Sequence, residues 1–382
     1  MIQNRRPSHV LVIAPERSPS LALVATYPLG QLEKQGLLKL CIRTAREASA
    51  EDLAWSDIVF AVRPATAAMA VLVSEAKRMG RVVMCHWDDD LLSIPPESSS
   101  YTYFARPGVR KLTLATLLQA DVVLSSSEIL VRHLRTLLAR HGKSKTPALL
   151  LPVPALRINP ASYYSIKDHA LEKPFTIGYA GSVDQTAILQ RLVVPALETL
   201  WQKGLAFHLQ LVGPKLAIDA PWQKFVSSIS PTDNYEQWLT LRNGLAWDAA
   251  VAPLQEGHFY RCKYANKYIE FASAGIPCLF SNTAPFSNVV ANLKNGYLVE
   301  NTVTAWASAI ESAMNGLQRQ HLAASAMEDM LSNHSIEKVA AVFENKLATW
   351  LSFKARFTKP PQNINLAKKI GWIQANVLRR YL

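Results

Sequence analysis

The sequence predicts an α/β fold of two tandem Rossmann-like domains, and three observations predict it. Short runs dense in Val, Ile and Leu recur without the strict polar–apolar alternation of a half-exposed strand, which marks strands buried on both faces of a parallel sheet. Longer amphipathic stretches separate them, as parallel crossovers require. A proline-rich interval near the middle breaks the pattern, after which it restarts. Each half is then an open sheet covered by helices. A ligand is expected outside the carboxyl ends of the strands, in a cleft across which the two parallel sheets face each other.

In the first half the strand candidates are His9–Ala14, Leu38–Ile42, Asp57–Val62, Arg81–Cys85, Asp121–Ser125 and Leu149–Val153, with helices such as Ala67–Met79 and Ser127–Arg140 between them. Pro152, Pro154, Pro160 and Pro174 frame a stretch with no period, read as a linker. Strand candidates resume at Phe175–Ala180, Phe207–Val212, Asp248–Ala252, Cys278–Ser281 and Gly296–Val299. The predicted division is a first domain over 1–155, a linker over 156–173, a second domain over 174–350 and a basic terminal helix within 351–382.

Composition narrows the class. The 382 residues suit two or three domains at ~100–200 residues each. With 49% apolar and 18% charged residues, the chain is not a disordered polymer. No apolar run approaches the ~20 residues of a membrane helix, and Val10–Ala14 is too short for a signal core. The four cysteines form no CxxC pair, so disulfides and a cysteine zinc site are not expected, and a cytoplasmic location is. The net charge is +12, and from Ser352 to Leu382 there are seven basic residues and no acid. Such an excess attracts phosphates, anionic lipid or nucleic acid without choosing among them.

The stretch Arg261–Pro277, RCKYANKYIEFASAGIP, is the most informative. As a helix from Lys263 to Ala274, closed by Gly275 and Pro277, it places Lys263, Lys267 and Glu270 on one face, opposite Ala265, Tyr268, Ile269 and Ala272. Two ammonium groups at a helix N-terminus suit a diphosphate, and a carboxylate one turn on suits vicinal hydroxyls. The alternative is a solvated face of i,i+3 and i,i+4 ion pairs.

A second cluster, Cys85-His86-Trp87-Asp88-Asp89-Asp90, ends the fourth strand candidate. Adjacent carboxylates repel unless something offsets them. Asp88, Asp89 and His86 are candidate catalytic groups, orienting an acceptor hydroxyl or taking its proton, with His86 a base near neutrality or else a buried, hydrogen-bonded ring. Asp88 and Asp90 as a metal-holding DxD pair, or the acids as a cap before Leu91-Leu92, are the competing readings. Arg17 could meet a phosphate or be a surface charge, Ser18–Tyr27 is read as a loop and helix start facing the cleft, and Ser98–Tyr103 as a mobile acceptor loop. In the tail, Leu366, Ile370, Ile373, Val377 and Tyr381 form a helical stripe with Lys368, Trp372 and Arg379 opposite. It suits docking on the first domain or an anionic membrane surface.

The second half resembles the nucleotide-binding domain of GT-B glycosyltransferases, especially those of the family 4 type. The resemblance rests on Phe175–Ser182 (FTIGYAGS), Leu209–Pro214 (LQLVGP), Asp248–Pro253 (DAAVAP), Lys267–Pro277 (KYIEFASAGIP), Asn295–Val299 (NGYLV) and Thr304–Ile310 (TAWASAI), in that order. It covers roughly 175–350; the first half matches more loosely, through Asp121–Ser127 and Leu149–Pro154. The resemblance implies transfer of a sugar, with retention, from a nucleoside diphosphate sugar to the hydroxyl of a glycan, lipid-linked glycan or protein. It implies no cofactor and no metal, and a terminal helix that crosses back. Glu270 would bind the ribose, and Lys263 and Lys267 the diphosphate, aided by the amides of Gly181 and Ser182. Where the family often has a glutamate eight residues before Glu270, this chain has Cys262, and Glu256, His258 or Tyr260 could substitute from the preceding loop. A sugar-nucleotide epimerase on the same fold, or a degenerate binding or scaffold protein, are the alternatives. No nucleic-acid partner is expected, since basic and aromatic residues do not interleave as a stacking platform.

Overall fold

The computed structural model describes residues 6–160, 174–314, 316–355 and 365–378. Most of the expected linker and the residues Arg379 and Tyr381 of the tail lie outside these. The chain divides into two compact units. The first gathers the chain up to Pro154, the three residues Cys262–Tyr264 and everything from Ile336 on; the second holds Ala155–Arg261 and Ala265–Ser335.

The first unit is built on a parallel sheet of β1 (Ser8–Ala14), β2 (Leu38–Thr44), β3 (Ile58–Val62), β4 (Val82–His86), β5 (Val122–Ser125) and β6 (Ala148–Leu150), in the order β2-β1-β3-β4-β5-β6. The VLVIA run of β1 is buried throughout, because β2 and β3 flank it and helices cover its faces. β6 is shorter than expected, ending before Pro152. Side-chain caps start the helices where the sequence places Ser or Thr. Ser49 forms a capping box with Asp52, Thr66 caps Ala67–Arg78, and Ser127 caps Glu128–Arg140. Ser18–Tyr27 is helical from Pro19, passing through a π turn at Ala22–Thr26 into Tyr27–Lys34.

The chain rejoins this unit through the Ile336–Leu351 helix, which packs on Tyr27–Lys34. Asp57 anchors the return. Its carboxylate accepts from Arg6, from the amide of His9 and, at 2.9 Å, from the amide of Ala355. Burial would raise this carboxyl, but those donors outweigh it and keep it below the ordinary range. The Leu366–Ile373 helix then seats Ile370 and Ile373 against Ala67, Ala70 and Leu112.

The second unit has a parallel sheet of β7 (Phe175–Ala180), β8 (Phe207–Val212), β9 (Val226–Ile229), β10 (Ala249–Ala252), β11 (Cys278–Ser281) and β12 (Tyr297–Val299), in the order β12-β11-β10-β7-β8-β9. Its core gathers Phe207, Leu209, Trp222 and Trp306. Arg319, wholly buried, is held 3.1 Å from Asp248 and over the Phe175 ring.

Both strand orders reverse direction once. In the first sheet the reversal lies between β1 and β3, and in the second between β7 and β10. Ligands of open α/β sheets bind outside the carboxyl ends of strands at such points, so the residues just after these strands are the ones to inspect.

Candidate functional site

In the first unit the carboxyl ends of β1, β3 and β4 converge on Asp88. The Ser20 hydroxyl, following β1, donates to its Oδ2. Arg63, immediately after β3, brings its Nε to 3.1 Å from Asp88 and another guanidinium nitrogen to 3.1 Å from Asp89. Lys263 Nζ closes on Asp89 at 2.7 Å. The like-charge cost of adjacent acids is thus offset by two cations. Burial alone would raise the Asp88 carboxyl, yet the Arg63 guanidinium and the Ser20 hydroxyl outweigh it and hold it below the ordinary range. In return Asp88, then Asp89, tighten the proton on Arg63 against the opposing effect of burial.

Arg63 is the residue sequence reading missed. Its backbone is left-handed, φ +49°, a conformation that is roughly 1–2 kcal/mol unfavourable for a residue with a Cβ. The strain is held in place by its neighbours: the Arg63 amide donates to the His86 carbonyl at 2.9 Å, and its own carbonyl accepts from Ala65 at 2.8 Å. Strained residues persist where surrounding structure over-determines them, and here the strain aims a guanidinium at two carboxylates.

His86 does not fit the role of a near-neutral base. It is fully buried, with Nε2 3.3 Å from the Ser126 hydroxyl, and burial pushes its pKa down to about 4. At neutral pH it is an uncharged core ring beside Phe60. Asp90 turns to other partners, lying 3.4 Å from His133 and accepting from the Leu92 amide at 3.2 Å. It closes a turn, whereas Asp88 is engaged by Arg63 and Ser20, so the two carboxylates have separate protein partners. Arg17 meets Glu47 on the surface. The Ser98–Tyr103 segment includes a short helix, Tyr101–Phe104, and Tyr103 donates to the Ala65 carbonyl at 2.9 Å.

In the second unit the key helix spans Asn266–Ser273. It is shorter than the expected Lys263–Ala274, so Lys263 precedes it and does not share a face with Lys267 and Glu270. It follows β10 after a stretch that contains a short helix, His258–Arg261, and in its first turn Lys267 stands with Nζ 2.8 Å from Glu270 Oε2. The Trp238 indole donates to Glu270 Oε1 at 3.3 Å, and the Lys267 ammonium lies 5.6 Å from the Trp238 ring centre and 5.7 Å from that of Phe271, within cation–π range. Glu270 is only 7% exposed. The i,i+3 ion pair allowed by the sequence is therefore present, but on a buried carboxylate rather than a solvated face.

After β7, Gly181 and Ser182 form the turn at the switch point. The Gly181 amide already donates to the Val212 carbonyl at 3.1 Å, so it does not point at a ligand as expected. Gly213 approaches so closely that a Cβ there would sit 2.2 Å from the Gly181 carbonyl oxygen. Ser182 is exposed and precedes a 3₁₀ turn at Val183–Gln185. Of the three substitutes for the missing glutamate, Glu256 and His258 are exposed and Tyr260 is buried, while Cys262 itself is fully buried.

No family model matches the chain, and no curated protein matches it by sequence. Solved structures do match. Alr3699/HepE from Anabaena, in complex with UDP and glucose, aligns over 90% of this chain and 100% of its own at 13% identity and a TM-score of 0.59. Sucrose-phosphate synthase from Thermosynechococcus elongatus aligns over 90% of this chain and 98% of its own at 12% identity and a TM-score of 0.60. A glycosyltransferase from Rickettsia africae covers 91% of this chain at 12% identity and a TM-score of 0.57. The chain has the GT-B fold. At these identities the likeness speaks for the fold alone, and what a GT-B chain of this sequence does rests on its own residues.

Proposed function

We propose that the protein is a glycosyltransferase that takes a sugar from a nucleoside diphosphate donor and transfers it, with retention, to an acceptor hydroxyl in glycan or glycoconjugate synthesis. The observation that carries the reading is Glu270, a buried carboxylate on the Asn266–Ser273 helix between β10 and β11, held by Lys267 and Trp238. A buried charge is retained at a cost unless it is paired and hydrogen-bonded; in this reading the paired Glu270 carboxylate also accepts hydrogen bonds from the ribose hydroxyls of the donor. Lys267, at the helix N-terminus, adds positive charge where a leaving diphosphate gains negative charge.

On the first unit, Asp88 and Asp89 are the groups we assign to the acceptor side, with Arg63 and Lys263 fixing their geometry. Lys263 is thereby assigned to Asp89 rather than to the diphosphate. Ser182 is the remaining donor-loop candidate. HepE is known in complex with UDP, and the pneumococcal O-GlcNAc transferase GtfA in complex with UDP and GlcNAc, so uridine nucleotides head the donor list. As the family resemblance implies, the scheme relies on side-chain cations and helix amides rather than on a metal.

The test is a thermal-shift series with UDP, GDP, ADP and their glucose and N-acetylglucosamine conjugates. A true ligand at 100 times its Kd stabilises by about 2.7 kcal/mol, and at the same concentration Glu270→Ala should cut this to about 0.4–1.4 kcal/mol. No shift with any nucleotide would overturn the reading. Turnover of a donor to its epimer without an acceptor would replace transferase by epimerase.

A further inference from the structure

We propose that three packed helices of the first unit, Ala67–Arg78, Pro107–Leu117 and Leu366–Ile373, form a docking face for an anionic lipid bilayer. The inference goes beyond the transferase reading and does not depend on it. Ile370 and Ile373 seat the last helix on Ala67, Ala70 and Leu112. That leaves Lys368 and Trp372, one turn apart on the opposite side, facing out. Both are exposed, and Trp372 is 63% exposed. A large indole left in water beside an ammonium group suits the interfacial zone of a membrane, where the ring meets the acyl boundary and the cation meets headgroup phosphates.

The charge on this face selects the partner. The three helices carry Lys77, Arg78, Arg110, Lys111, Lys368 and Lys369, against Glu75 as their one acid. Glu75 is itself neutralised, 2.8 Å from Arg78 and paired with Lys369, and Lys77 is paired with Asp121 at 2.6 Å, so the excess rests on Arg110, Lys111 and Lys368. Arg110 and Lys111 are exposed on the middle helix. By sequence, the chain from Ser352 to Leu382 adds no acid. No helix among the described residues is long and apolar enough to cross a membrane, so the contact is peripheral. Exposed cations beside an exposed indole fit a lipid surface: single-stranded nucleic acid calls for several aromatic residues interleaved among the cations, and duplex DNA, bound through its phosphates, gives no role to Trp372, whereas an anionic bilayer uses both.

The experiment is flotation of the full chain, without any donor, on vesicles of phosphatidylcholine alone and of phosphatidylcholine mixed with phosphatidylglycerol. Binding should appear only on the mixed vesicles and weaken with salt. Lys368→Glu and Lys111→Glu should each lower the partition coefficient by about fivefold or more, and Trp372→Ala by about tenfold, while Trp372→Phe keeps most of it. All these positions are exposed, and unchanged melting curves confirm that the variants fold. No binding, equal binding to both vesicles, or wild-type binding in all three loss variants would overturn the proposal. So would tighter, variant-sensitive binding to duplex DNA, or self-association that the same variants abolish. Loss of nucleotide binding in a separate assay leaves the outcome untouched.

Discussion

The ammonium of Lys263 lies 2.7 Å from Asp89 Oδ1, making a three-residue excursion of the chain part of the first unit's acid cluster. A double-mutant cycle measures what that pair does. Lys263→Ala and Asp89→Asn should each lower stability, and the double variant should lose less than their sum by ~0.5–1 kcal/mol, as for partly exposed pairs. Urea titrations at neutral pH give the four values. Strict additivity would mean the pair is a contact without energetic coupling.

Arg63 separates charge from backbone strain. Arg63→Gly relaxes the left-handed φ of +49° but leaves the buried Asp88 without its guanidinium. Asp88 is buried while Arg63 is a third exposed, so the loss should exceed the ~1 kcal/mol of an exposed pair and stay below the ~3–5 kcal/mol of a fully buried one, and the relieved strain returns ~1–2 kcal/mol of it. Arg63→Ala removes the charge and keeps the strain, so it should be less stable than Arg63→Gly. Equal melting temperatures for the two would show that the strain is negligible.

His86 sets a pH dependence of stability. Its pKa is about 4 in the folded protein against an ordinary 6.5, so between those values the unfolded chain binds the extra proton and stability falls as pH falls. The contribution is complete above pH ~6.5, is lost toward pH ~4, and amounts to about 3 kcal/mol at 1.36 kcal/mol per unit. Asp88, held below the usual carboxylate range, adds a loss in the same direction at still lower pH. Denaturant melts across this range should show the slope in the wild type, and His86→Gln should flatten it above pH ~4. A slope of wild-type size in His86→Gln would assign the titration elsewhere.

Glu270 is expected to govern donor affinity. Hydrogen bonds to a charged group contribute ~1.5–3 kcal/mol, so Glu270→Ala should weaken nucleotide binding by one to two orders of magnitude, by calorimetry. Glu270→Gln keeps the shape and loses the charge facing Lys267, and should fall between. Lys267→Ala should act more on turnover than on binding, since its charge matters most as the diphosphate leaves.

Runs rich in Val, Ile and Leu make eleven of the twelve strands readable, most plainly β1, β3, β5, β10 and β11, which are almost wholly buried and offer few polar positions to confuse the pattern; β2 and β8 keep polar residues at exposed or half-exposed positions and are read from their apolar ones. β9 escaped for the opposite reason: VSSI is a half-polar edge strand, with Ser228 exposed and the others only partly buried. The start of the Asn266–Ser273 helix was misplaced because its cap is Ala265, which offers no side-chain hydrogen bond. With no cap residue to mark the boundary, the helical period reads back as far as Lys263 and gives it a false neighbour. Arg63 left no mark at all, since arginine carries no preference for a left-handed backbone. The acid cluster was legible as three carboxylates that needed partners, but the partners come from after β1, after β3 and from residue 263, a convergence that only the sheet order reveals.

Gly213 tests whether the turn after β7 is shaped for a ligand. Its φ is +104°, and an added Cβ would meet the Gly181 carbonyl oxygen at 2.2 Å. The obstacle is backbone and cannot rotate away. The two glycines are also tied to the sheet, Gly181 through Val212 and Gly213 through Ile229, so Gly213→Ala must displace the Gly181–Ser182 turn or break one of those bonds. Left-handed strain of ~1–2 kcal/mol and a clash of ~1–3 kcal/mol should together lower the melting temperature by several degrees. Gly36→Ala is the control, because Gly36 has a φ of +77° with open space where its Cβ would go and therefore carries the strain without the clash. If the close approach positions the donor loop, Gly213→Ala weakens nucleotide binding at a temperature where it is still folded, and Gly36→Ala does not. Unchanged nucleotide affinity in folded Gly213→Ala would show that the contact packs the sheet and does nothing for the ligand.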